Sequence, residues 1–178
     1  MLLFALMRCF IAVELPEEIK REMVRIQEEL PEFFGKKTEK ENLHLTLKFL
    51  GEISETEIER VKRRLSDMKI KKFNSGLGEL GVFSPEFIRI IWIHLTGCEK
   101  LQEEVDKKLK DLFPVEERFM GHITIARVKN CDKKNLIDSL KLLKVNWREF
   151  QVNEFVLKES ILTGEKPIYK DIKRFKLE

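Results

Sequence analysis

Two short segments, ENLHLTLKFLG (41–51) and RFMGHITIARV (118–128), alternate apolar and polar residues with period two, the pattern of a half-buried strand. Successive strand side chains point to opposite faces, so residues i and i+2 share one. His44 and Thr46 therefore share a face, with Leu45, Leu47 and Phe49 on the other. His122 and Thr124 are placed likewise, with Ile123 and Ile125 behind them. Each strand thus roots an apolar row in a core and offers an imidazole and a hydroxyl on its open side.

The surrounding chain gives both segments the same slot. In the first half a short buried strand at 8–14 ends at Pro16, which opens a helix over 16–30 with Ile19, Met23, Ile26 and Leu30 on one stripe. The motif strand follows and stops at Gly51. Ser54 and Glu57 then have capping-box spacing ahead of a helix to residue 68, and a strand at 73–83 closes the half. The second half reads as a strand at 87–95, a helix at 99–113 and the second motif strand at 119–128. A helix at 132–143 follows with Asp132 as N-cap, then paired strands at 148–160 and 166–177. The motif histidines are 78 residues apart. No Gly-, Ser- or Pro-rich linker divides the halves, so the chain reads as one domain, 1–178, of two packed lobes over 7–83 and 87–178. Met7 is a candidate start, with 1–6 an N-terminal extension.

Composition narrows the class. Apolar residues make up 43% and charged residues 37% of 178, which fits a soluble globular protein. A net charge of +3 permits an anionic partner without demanding one. Cys9, Cys98 and Cys131 are widely spaced, which excludes a Cys-x-x-Cys zinc knuckle and a disulfide framework. The apolar N-terminal stretch lacks a preceding basic segment, is broken by Arg8 and is too short to span a membrane. A cytoplasmic protein is the expectation. With no long apolar heptad pattern, so is a monomer.

Two imidazoles and two hydroxyls facing one cleft suit a phosphodiester. In-line displacement at phosphorus needs a base for the nucleophile and an acid for the leaving oxygen, on opposite sides. Histidine titrates near neutrality, so one copy can be neutral while the other is protonated. Threonine hydroxyls can donate to the non-bridging oxygens. Neither motif has an Asp, Glu or Cys on its His face to complete a metal site, and no Gly-rich phosphate loop occurs. Lys48 shares the parity of His44, which would add positive potential at the cleft. Arg127 has the wrong parity, so its reaching a phosphate requires a bulge. His94-Leu95-Thr96 carries the bare triplet too, but in the first-strand slot of its half, where a structural or surface role is expected.

MRCFIAVELP, ENLHLTLKFLGE, GVFSP and HITIARV, in this order over nearly the whole chain from Met7, resemble the RNA 2′,3′-cyclic phosphodiesterases. That family, also called 2′-5′ RNA ligases, belongs to the two-histidine phosphoesterases. The resemblance implies an α+β fold of two pseudo-symmetric lobes, each an antiparallel sheet with two helices, with the active cleft between the sheets. It implies hydrolysis of RNA 2′,3′-cyclic phosphate ends to 2′-phosphomonoesters without metal or other cofactor, and reversible 2′-5′ joining of RNA such as tRNA halves. It also implies His44 as proton donor, His122 as proton acceptor, and Thr46, Thr124 and Arg127 as phosphate-binding residues. Small cyclic nucleotides or ADP-ribose cyclic phosphate are the alternative substrates, and a non-catalytic RNA-end binder is the alternative function. One departure is Gly121, where the family often has proline before the second histidine.

Overall fold

The computed structural model describes residues 6–164 and 166–178. The expected extension over 1–6 therefore lies, but for Leu6, outside the described residues. The fold is α+β, with four helices and a curled antiparallel sheet.

β1 (Met7–Glu14) buries five consecutive residues from Cys9 to Val13, as its unbroken apolar run requires. Pro16 caps α1 (Glu17–Glu29), whose Ile19, Met23 and Ile26 are fully buried. Each such side chain contributes about 1.5–3 kcal/mol by leaving water. The short β2 (Phe34–Lys37) leads into β3 (His44–Ile53), the first motif strand. β3 was expected to stop at Gly51. It continues two residues further because Gly51 adopts φ 77°, a conformation open to glycine. Ser54 and Glu57 form the reciprocal capping box of α2 (Glu55–Ser66), as their spacing predicts.

β4 (Phe73–Val82), β5 (Ile90–Thr96), α3 (Glu99–Leu109) and β6 (His122–Asn130), the second motif strand, follow. Asp132 accepts from Asn135 N–H to cap α4 (Lys133–Leu142). The single strand expected over 148–160 is two: β7 (Glu149–Val152) and β8 (Glu154–Leu162), broken at Asn153. β9 (Pro167–Lys176) pairs with β8 as expected.

The sheet runs β7-β4-β5-β6-β3-β1-β8-β9, with β2 added on β6. This corrects the expectation of two separate sheets, one from each half of the chain. β4, from the first half, pairs with β5 and β7, while β8 and β9, from the second half, complete the arm of β1 and β3. The two four-stranded arms join where Leu45 pairs with Ile123. The helices interlock in the same way, α1 packing on β6 and α3 on β3. Leu45, Leu47, Ile123 and Ile125 point into this helix-covered core. The opposite face of the two motif strands is left open.

Candidate active site

Both motif strands break their alternation at the same place. In β3, Ala12 pairs with Thr46 and Ile11 with Lys48, so Leu47 is an extra residue. In β6, Trp92 pairs with Thr124 and Ile91 with Ala126, so Ile125 is extra. Such a bulge sends two consecutive side chains backward and flips everything after them. Leu47 with Lys48, and Ile125 with Ala126, are accordingly buried, while Phe49 and Arg127 turn to the open face.

These bulges settle two expectations. Arg127 lines the cleft, which strict alternation would have forbidden. Lys48 does not. Its side chain is 4% exposed behind the sheet, paired with Asp106 and donating to the Pro114 carbonyl at 2.5 Å. Burial works against the Asp106 carboxylate, but hydrogen bonds from Lys48, the Glu116 N–H and Gln102 hold its pKa below the usual range. The sequence reading therefore misplaced Lys48, whose partner lies on α3, 58 residues away.

His44, Thr46, His122, Thr124 and Arg127 line one cavity of about 730 Å³. Counting outward from the antiparallel Leu45–Ile123 pair sets His44 beside Thr124 and Thr46 beside His122. The two imidazoles thus occupy one diagonal of a square and the two hydroxyls the other. Main-chain contacts fix both rings alike. His44 Nδ1 donates to the Asn42 carbonyl at 2.7 Å, and His122 Nδ1 to the Met120 carbonyl at 2.9 Å. A carbonyl can only accept, so Nδ1 carries the hydrogen and Nε2 is the working nitrogen on each ring. Thr46 Oγ1 lies 3.0 Å from His44 Nε2.

The surroundings of the two rings differ. Phe10 and Tyr169 enclose His44, the Tyr169 ring standing perpendicular at 5.2 Å. Burial is the main reason the His44 pKa is pushed down to about 4, and the Lys158 and Arg127 charges add to it. Opposing them are the hydrogen bond to Asn42 and the charge of Glu14. Phe83 stands perpendicular to His122 at 5.0 Å and is itself 55% exposed. Tyr169, Phe10 and Phe83 were not singled out from sequence, because they arrive from β9, β1 and the loop after β4. His94 sits opposite His122 on β5 but packs its ring over Gly78 and does not line the cavity. Gly121 is required by close approach, since a Cβ there would lie 2.4 Å from the Leu95 carbonyl oxygen. Among the described residues no group of three or more His, Cys, Asp or Glu could hold a metal ion, and no helix is long and apolar enough to cross a membrane.

The profile of the LigT-like phosphoesterases matches residues 13–92 and 96–169, one stretch around each His-x-Thr strand. The chain belongs to the LigT-like phosphoesterase family. It is 39% identical over 176 residues to the RNA 2′,3′-cyclic phosphodiesterase of Methanocaldococcus jannaschii, spanning 95% of this chain and all of that one. With the protein of the same name from Archaeoglobus fulgidus it shares 36% over 175 residues, 95% of this chain and 99% of that one. A crystal structure of a Thermus thermophilus protein superposes with TM-score 0.80 at 28% identity, over 96% of this chain and 97% of the other. Escherichia coli LigT complexed with 3′-AMP has the same fold, with TM-score 0.79 at 23% identity over 97% and 98% of the two chains. As a LigT-like phosphoesterase, the chain is an enzyme of phosphodiester chemistry.

Proposed function

We propose that the protein hydrolyses the 2′,3′-cyclic phosphate at an RNA 3′ end to a 2′-phosphomonoester, using its two histidines and no metal. The diagonal placement of His44 and His122, each with Nδ1 tied to a main-chain carbonyl, carries this reading. The names of the archaeal relatives support the substrate.

Water attacks phosphorus on the His122 side, and its proton passes to His122 Nε2 as the new P–O bond forms. On the far side the P–O3′ bond breaks, and O3′ takes a proton from His44 Nε2. The product carries a 2′-phosphate and a free 3′-hydroxyl, and exchange with solvent restores both rings. Thr46 and Thr124 donate to the non-bridging oxygens from the other diagonal, and Arg127 supplies the positive charge that the anion requires. A 5′-hydroxyl in the place of water runs the same path backward from a cyclic end and yields a 2′-5′ joined RNA.

The test is to incubate the protein with an oligonucleotide ending in a 2′,3′-cyclic phosphate in the presence of a chelator. Phosphorus NMR should show a 2′-monoester. A 3′-monoester, or loss of turnover on chelation, would overturn the proposal.

A further inference from the structure

We propose that single-stranded RNA entering the cleft is carried on an aromatic and cationic shelf beside β6, formed by Phe34, Lys129, Phe87 and Arg89. The inference rests on the proposed reaction at the cleft and adds a site for nucleotides on the 5′ side of the reacting end.

Phe34 is 68% exposed and Phe87 62%, and neither belongs to the core cluster, so neither ring is there to stabilise the fold. Each instead has a cation over one face. Lys129 Nζ lies 5.5 Å from the Phe34 ring centre, and Arg89 Cζ lies 4.3 Å from that of Phe87. The two pairs are joined, because the Arg89 guanidinium donates to the Lys129 carbonyl at 3.3 Å. A ring with one face against a cation and the other open to water is a stacking platform for a base, and the neighbouring cation suits its phosphate.

The shelf is continuous with the cleft. Ile90, Arg127 and Lys36 form one row across β5, β6 and β2, and all three line the cavity. Lys129 is two residues beyond Arg127, and the intervening Val128 is buried, so both cations stand on the open side. The step between them is about 7 Å. Lys133 on the first turn of α4 adds a further cation, donating to the Glu86 carbonyl beside Phe87. The acids nearby, Asp132 and Glu86, are turned to the α4 cap and to Ser84.

The opposite rim lacks this character. The position matching Arg127 holds Phe49, and beyond it Glu52 lines the cavity. Charge alone therefore favours a polyanion leaving the cleft along β6 rather than along β3. The stacking rings read no particular base, so the shelf binds RNA with little sequence preference.

A length series tests this. For the wild type, KM should fall from a 2′,3′-cyclic mononucleotide to an octanucleotide with the same end. The double variant F34A/F87A should raise the octanucleotide KM about tenfold or more and leave kcat and both mononucleotide constants unchanged. Replacing Arg89 and Lys129 with alanine should flatten the dependence of octanucleotide log KM on log salt by about one. Equal KM for the two lengths in the wild type, or equal losses on both substrates in F34A/F87A, overturns the shelf. If neither substrate turns over, the reaction assigned to the cleft fails instead. Anisotropy of a labelled octanucleotide with a 3′-phosphate then decides the shelf alone, because F34A/F87A should still weaken binding.

Discussion

Leu45 and Ile123 face each other across the seam between β3 and β6, the one register pair joining the two arms of the sheet among the described residues. Each stands between a His and a Thr of its own strand, so this apolar contact sets the square that the four catalytic side chains occupy.

Ile123→Ala should therefore lower stability and activity together. Both faces of the pair are fully buried, and the cavity should cost about 2–5 kcal/mol in a urea melt. At a temperature where the variant stays folded, kcat should also fall, because the diagonal widens. A folded variant with wild-type kcat would show that the seam does not set the diagonal.

Lys48 stabilises the fold from behind the sheet. Lys48→Met leaves the buried Asp106 carboxylate unpaired and should cost about 3–5 kcal/mol. Adding Asp106→Asn should recover much of that, since the amide oxygen can still accept from the Glu116 N–H. Below its melting temperature, K48M should keep the wild-type KM. A raised KM would return Lys48 to the cleft.

The pKa of His44 predicts a loss of stability in acid. Its folded value is pushed down to about 4, below the ordinary 6.5, so in this range the unfolded chain binds the proton more tightly. The stability is complete above pH 6.5 and is lost as pH falls toward 4, by roughly 3 kcal/mol in all. The displaced carboxylates, such as Glu22 at about 2, contribute only below their ordinary 4.5. Between pH 6.5 and 4.5 the melting temperature should therefore fall in the wild type and hold nearly level in His44→Gln. Parallel curves would contradict this.

Substrate should raise that same pKa, because an anion beside a buried imidazole favours its protonated form. One limb of the kcat/KM profile, which reports the free enzyme, should lie near pH 4, and the corresponding limb of kcat should lie higher. Coincident limbs would show that the bound phosphate does not protonate His44.

The four residues nearest the seam were legible because period-two alternation holds from His44 to Thr46 and from His122 to Thr124. Two residues later it fails in both strands. A bulge leaves no mark in Leu47-Lys48 or Ile125-Ala126, so Lys48 and Phe49 were assigned each other's faces. β2, with the sequence Phe34-Gly35-Lys36-Lys37, has no apolar alternation and takes its order from β6. The exchange of strands between the arms was hidden for a related reason. Partner choice in a sheet depends on contacts distant in sequence, and the turn at Asn153 sends β7 and β8 to opposite arms without a glycine or proline to announce it.

The central claim is that His44 protonates the leaving oxygen while His122 activates water, and a change of leaving atom tests it most directly. A substrate with sulfur in place of O3′ has a leaving group that needs no proton. On the oxygen substrate, His44→Ala and His122→Ala should each cost about 10²- to 10⁴-fold in kcat. On the sulfur substrate His44→Ala should turn over at close to the wild-type rate, while His122→Ala stays impaired. Equal impairment of both variants on sulfur, or recovery of His122→Ala instead, would contradict the assignment.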